Sequence, residues 1–219
     1  YSSEFVDTLN DRQYLQVDKT VNNSIDEDIK AELFNEMQKW EFPLHFIDFE
    51  TCMIAIPFHK GRAPYEQIAF QFSCHTLYEN GEIKHHEWIE SDANNFPNYQ
   101  FVRELKKILD NDNGSIFRYS AHENTVLLQI KAQMIVEDEL KYKDLINWID
   151  NITYRKDIDT KKKIEGPRNM IDLLEYVKKY YYHPQMRGSN SLKYVLPAIF
   201  STSEFIKNKY SKELDFGTN

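Results

Sequence analysis

The stretch PLHFIDFETC, Pro43 to Cys52, decides how the rest of this 219-residue chain is read. An apolar run ends in two carboxylates, Asp48 and Glu50, two residues apart. Side chains at i and i+2 of an extended chain share a face, so the acids sit together while Ile47 and Phe49 point the other way. Like charges so close are tolerated when one acid keeps its proton, when basic groups neutralise both, or when a divalent cation sits between them.

Working outward, residues 1–23 are polar and unpatterned. Ser24 with Glu27 makes a capping box, followed by Ile29, Leu33, Phe34, Met37 and Trp40 at helical spacing, so 1–41 reads as a lead-in segment with one packing helix. After the acids, IPFHKGRAPYE carries two prolines and a glycine and reads as a loop. Then QIAFQFSCHTLYENGEIKHHEWIE alternates through Ile68, Phe70, Phe72 and Cys74, and Asn80-Gly81 supplies the residues of a type I′ hairpin turn. Phe96 to Leu109 has helical periodicity, SIFRYS is a short strand, and ENTVLLQIKAQMIV is a helix. TKKKIEGPRN reads as a solvated loop able to lie along a nucleic-acid backbone. Met170 to Leu174 starts a strand or helix, a helix runs to Tyr182, and the loop HPQMRGSN feeds a last helix capped near Ser189 or Asn190. The order β-β-β-α-β-α predicts an α/β, ribonuclease H-like fold. Its mixed sheet has an antiparallel three-stranded meander, a fourth strand parallel to the first on the side away from the hairpin, and flanking helices.

Net charge is −8, against a protein that coats nucleic acid by bulk electrostatics. The average hides a contrast: residues 1–150 carry 14 Lys and Arg against 27 Asp and Glu, and residues 151–219 carry 13 against 8. An acidic half beside a basic half suits a site with metal on one side and a phosphodiester on the other, although solvated helix faces are the commoner reason for a basic cluster. Cys52 and Cys74 are too few for a disulfide framework and read as reduced thiols. With no apolar run long enough to span a bilayer and no signal-peptide pattern at the start, the chain reads as soluble and cytoplasmic, without a membrane partner. It begins on Tyr1 and ends on SKELDFGTN, which predicts a piece of a longer protein with further domains. Gly-x-Ser-x-Gly, Walker A and Cys-x5-Arg patterns do not occur, which disfavours other hydrolase and phosphatase scaffolds.

In open α/β sheets, reactive groups collect where strands end. Asp48 and Glu50 close the first strand, and Glu123 follows the fourth in YSAHENTVL, at a helix start whose dipole favours a carboxylate. Neighbouring first and fourth strands bring the three together, and a shared divalent cation answers the like-charge question. Ser191 and Lys193 start the last helix, where backbone N–H groups and a point charge suit a phosphate. His122 reads as a cap or packing residue, His85-His86 as rings on opposite faces of a strand, and Tyr180 to Tyr182 as packing before stacking.

FIDFET resembles the first motif of the DEDD 3′-to-5′ exonuclease superfamily, and YSAHENTVL resembles its second, with Glu123 in place of the usual Asp. MIDLL, YYYHPQ and RGSNSLKYVLP resemble a little-characterised bacterial branch with a Gly-Ser-x-Ser-x-Lys-x-x-Leu-Pro signature, so the likeness spans roughly residues 43–200. It implies two-metal hydrolysis of DNA or RNA from a 3′ end, with Mg²⁺ or Mn²⁺ held by Asp48, Glu50 and Glu123. It makes Thr51, Ser191 and Lys193 candidate substrate contacts. Asp172 is a further candidate ligand, although IDLL is more similar to a structural Asp at a strand end. The superfamily's last acid sits in a Tyr-x-x-x-Asp or His-x-x-x-Asp helix, in this branch after the lysine-proline signature. From Pro197 onward Asp215 is the one aspartate, with no Tyr or His four residues before it. A nuclease domain over 42–219, truncated at its C-terminus with the fourth ligand beyond Asn219, is therefore expected. The alternative is a catalytically silent nucleic-acid-binding or interaction module that keeps the fold.

Overall fold

In the computed structural model, which describes residues 9–210, the run with the two acids is one ten-residue strand, β1 (Leu44–Met53). Ile47 and Phe49 are buried and Asp48 and Glu50 exposed, as period-two alternation requires. β2 (Gln67–Leu77) and β3 (Ile83–Ile89) complete an antiparallel meander. β4 (Ile116–Arg118) lies parallel beside β1, and β5 (Ile171–Asp172) parallel beside β4, so the five-stranded mixed sheet has the order β3-β2-β1-β4-β5. This is the α/β arrangement that the sequence predicts.

Three helices cover one face: α1 (Asn98–Leu109), α2 (His122–Asp138) and α3 (Lys143–Ile152). Phe101, Val102, Leu105 and Leu109 of α1 repeat at helical spacing and are fully buried with Ile47, Phe49, Phe72 and Ile116. Val126, Leu127, Ile130 and Met134 of α2 and Ile146, Ile149 and Ile152 of α3 close the same core. Each such side chain contributes roughly 1.5–3 kcal/mol by leaving water. On the opposite face Phe46 stacks on Phe117 with centroids 5.0 Å apart, and Trp40 meets Phe117 edge-on at 4.7 Å.

The hairpin turn departs from the expected type I′. Gly81 alone has positive φ, +85°, and the turn closes through Gly81 N–H to the Tyr78 carbonyl and Tyr78 N–H to the Glu82 carbonyl, both 2.9 Å. Asn80 accepts from the Glu82 N–H at 2.9 Å, which holds it outside the left-handed region and lengthens the loop by a residue.

By contact the chain forms two units: residues 39–173, which hold this sheet, and residues up to 38 with those from 174. The second unit contains helices Leu9–Val21, Glu32–Met37, Leu192–Thr202 and Glu204–Tyr210, most of helix Leu173–Tyr180, and a short antiparallel ribbon of Asp28–Ile29 with Tyr181–Tyr182. Its core is small: Tyr181, Met186, Val195 and Ala198. Arg12 donates to the Lys178 and Tyr181 carbonyls at 2.7 and 3.1 Å and to Asn190 Oδ1 at 2.8 Å. Two expectations fail here. Residues 9–21 are helical although polar, and the capping box does not form. The Ser24 hydroxyl turns to Asp26, the Glu27 carboxylate accepts from Tyr181 Oη at 3.0 Å, and Lys19 pairs with Asp28 at 2.9 Å. The segment pairs as a strand, and the helix after it is only Glu32–Met37. Asp215 lies outside the described residues, among which no helix is long and apolar enough to cross a membrane.

Candidate functional site: a carboxylate cluster at the end of β1

Sheet register extends the face of Asp48 and Glu50 across two more strands. Asp48 is opposite Ser73, which is opposite Glu87; Phe46, His75 and His85 form the next row, and Glu50, Gln71 and Ile89 the row on the other side. Directly opposed residues point the same way, so Ser73, His75, His85 and Glu87 share the face of the acids. The His75 and His85 rings stack 4.3 Å apart at 18°, and Ser73 Oγ lies 3.5 Å from His85 Nε2. His86, on the other face, lines a different cleft, as alternation predicts. Register shifts between Glu50 and Thr51, a bulge that ends the regular ladder beside the acids. Thr51 Oγ1 lies 3.4 Å from Nε2 of His122, the first residue of α2, so the strand end meets the helix start.

Glu123 follows His122 and is only 4 % exposed. Burial is the main cause that pushes its carboxyl up to about 7; its own N–H opposes the shift, the Asp48 charge adds to it, Arg118 opposes it and Asp172 adds to it. Asp48 and Asp172 are therefore each within electrostatic reach of Glu123. Oε2 of Glu123 is buried and has no hydrogen-bond partner among the described residues.

The turn between β4 and α2 is held by Asp172. Arg118 Nη1 donates to Asp172 Oδ2 at 2.7 Å and also to the Ser120 carbonyl, while the Ser120 N–H donates to Asp172 Oδ1 at 2.8 Å. Ser120 has φ +80°, a strained conformation for a residue with a Cβ, and these bonds hold it there. Asp172 thus sits beside the acids while both its oxygens engage Arg118 and Ser120.

Ser191 and Lys193 belong to the second unit. Ser191 occupies the N-cap position of helix Leu192–Thr202 with extended backbone and no side-chain capping bond, and Lys193 is exposed in its first turn. All of Tyr180, Tyr181 and Tyr182 are buried, the last two as a strand, so packing accounts for the run.

Two clefts of the sheet unit lie apart from the acids. One, of about 570 Å³, is lined by Arg103, Lys106, Lys107 and Lys141 with Asp110 and Asp144. The other, of about 330 Å³, lies between β2, β3 and α1 and includes His45, Trp88 and Asp112. His45 is 1 % exposed and bonded on both nitrogens, to Thr76 Oγ1 at 3.0 Å and Asp112 Oδ1 at 2.9 Å, a satisfied core histidine. Sequence reasoning placed His85 on a strand but missed its neighbours Ser73, His75 and Glu87; the hairpin alternation carried the signal, but reading it required the register.

The donors near Glu123 are all oxygens, which suits a hard divalent cation, and the unpartnered buried oxygen of Glu123 is the kind of atom such an ion satisfies. Among the described residues, however, no group of three or more His, Cys, Asp or Glu side chains is gathered closely enough to hold a metal ion. Fold and site together define a mixed α/β domain with carboxylates at the end of its central strand. The chain belongs to the family described as Domain of unknown function (DUF2779), which matches residues 45–191, from the start of β1 through Ser191. No curated protein and no solved structure matches it.

Proposed function

We propose that the chain is a divalent-metal-dependent phosphodiesterase of the DEDD 3′-to-5′ exonuclease kind, acting on DNA or RNA. The observation that carries this reading is the buried Glu123, whose carboxyl burial and, secondarily, the Asp48 charge push up to about 7, at the helix start that adjoins the strand end with exposed Asp48 and Glu50. Such a trio is electrostatically unfavourable when empty and becomes favourable around a cation. Asp48, Glu50 and Glu123 would hold Mg²⁺ or Mn²⁺, which supplies an activated water and neutralises charge on the phosphodiester. Arg118 holds Asp172 and the Ser120 turn, and so sets where α2 presents Glu123. His122 and Thr51 stand at the junction of the strand end and helix start, placed to contact a substrate there.

A second reading, a silent nucleic-acid-binding module, is favoured by the lack of a gathered ligand set among the described residues. Two measurements separate them. Mn²⁺ should raise the melting temperature of the wild type, since a ligand bound only by the native state stabilises it, and Asp48→Ala should abolish the rise. The wild type should also shorten a 3′-ended oligonucleotide in Mn²⁺. An unchanged Mn²⁺ response in Asp48→Ala refutes the metal site; metal binding without cleavage leaves the silent module.

A further inference from the structure

Lys163–Glu165, within the stretch read from sequence as a loop, pairs with Tyr154–Lys156 as an antiparallel ribbon. Its base is fixed beside the carboxylates. Asn124, next to Glu123 and 3 % exposed, donates to the Tyr154 carbonyl at 3.0 Å and accepts from the Tyr154 N–H at 2.9 Å. On the returning strand, the Gly166 N–H donates to the Thr153 carbonyl at 2.9 Å. A Cβ on Gly166 would come within 2.1 Å of the Asp150 carbonyl, so only glycine allows this approach. The Asp157 carboxylate is used within the tip, accepting from the Thr160 N–H and Oγ1, both 2.8 Å.

The register places Lys156 directly opposite Lys163. Like charges in that position repel; Glu165, on the same face, meets Lys163 at 2.5 Å and leaves Lys156 as the uncompensated charge of the pair. Tyr154 and Glu165 share their face by alternation. The Tyr154 ring has Lys163 Nζ at 4.4 Å and the Arg118 guanidinium at 5.5 Å, so the lysine-bearing face begins at the residue that holds the β4–α2 turn. Arg155, Lys156, Lys161 and Lys162 are exposed and make no ion pair among the described residues.

We propose that the Tyr154–Glu165 ribbon is a clasp for the phosphate backbone of a single-stranded nucleic acid, with Lys156 and Lys163 contacting phosphates and the Tyr154 ring nearest the carboxylate site. The identity of the anion rests on the nuclease reading; the clasp rests on the opposed lysines and on the Asn124 anchor that joins the ribbon to α2 next to Glu123. A nucleic-acid strand is favoured over a lipid surface because the cations continue inward from the tip to the carboxylates, which a bilayer could not follow.

The test is binding of a fluorescent single-stranded oligonucleotide in EDTA, which excludes metal-dependent cleavage. Lys156→Gln with Lys163→Gln should raise Kd about tenfold and flatten the slope of log K against log salt by about 1.4, since each phosphate contact on a single strand contributes about 0.7. Lys107→Gln with Lys141→Gln, removing equal charge from the helical cleft, should change both far less. Equal effects from the two pairs, or none from the ribbon pair, overturns the clasp, as does binding of the wild type to phosphatidylserine vesicles but not to the oligonucleotide. Ribbon-dependent binding without Mn²⁺-dependent shortening supports the clasp and refutes the nuclease; shortening with ribbon-independent binding does the reverse.

Discussion

Glu123 shows most clearly what the fold does to a single residue. In the metal-free protein its carboxyl keeps its proton up to about pH 7, whereas the reference value for an exposed glutamate is 4.5. Between those values the native state binds more protons than the unfolded chain, so this residue makes stability fall as pH rises through that window. Glu123→Gln is neutral throughout and should remove that part of the slope. Above pH 7 in EDTA it should exceed the wild type by on the order of 1–3 kcal/mol, with no such gain below pH 4.5. Urea unfolding at several pH values measures this, and a difference between the two proteins that is constant across pH contradicts the assignment. Asp172 is the complementary case: Asp172→Ala leaves Arg118, whose side chain is 2 % exposed, without its counter-charge and should cost about 3–5 kcal/mol in the same assay. The pairing of Asp48 with Glu50 was legible because two positions along a strand fix a face. The burial of Glu123 and the partners of Asp172 were not, since both depend on strands distant in sequence meeting.

Elements with a strong local period were the legible ones. β1, β2 and β3 announce themselves by alternation, α1 by apolar residues at helical spacing, and β4 with α2 by an apolar run passing directly into a helix. α3 went unread, and the returning strand of the Tyr154–Glu165 ribbon was read as loop. The ribbon is mostly charged and takes its shape from Asn124 and from the close approach at Gly166, neither of which leaves a periodic trace. The hairpin turn differs from expectation for an equally local reason, because the Asn80 side chain bonds to the Glu82 backbone. If Asn124 holds the ribbon, Asn124→Ala should leave the half-buried backbone N–H and carbonyl of Tyr154 without these partners and cost about 1–3 kcal/mol. Hydrogen exchange should show the Tyr154 amide losing protection while the β1 amides keep theirs. Retained protection at Tyr154 would locate the anchor elsewhere.

At the scale of the whole molecule, the family match, residues 45–191, crosses the boundary between the two units, while the acids all fall within one of them. Asp48, Glu50, Glu123 and Asp172 lie in the continuous stretch 39–173, which also holds the large core of the sheet and its three helices. Ser191 and Lys193 lie in the other unit, assembled from both ends of the chain around four buried residues. Its key pairing, Asp28–Ile29 with Tyr181–Tyr182, joins segments about 150 residues apart, which is why sequence periodicity did not reveal it. A continuous segment with its own core can fold alone, whereas a discontinuous one with a small core depends on the rest of the chain. A fragment of residues 39–173 should therefore unfold cooperatively on heating and keep its Mn²⁺-dependent rise in melting temperature. Oligonucleotide binding by the fragment should retain the part of its salt dependence due to the ribbon, which lies within 39–173, and lose about one phosphate contact if Lys193 holds one. Comparing Lys193→Ala in the full chain with the fragment separates that lysine from the rest of its unit. A fragment that folds yet shows no Mn²⁺ response would mean that the carboxylates of the sheet unit do not hold the metal by themselves.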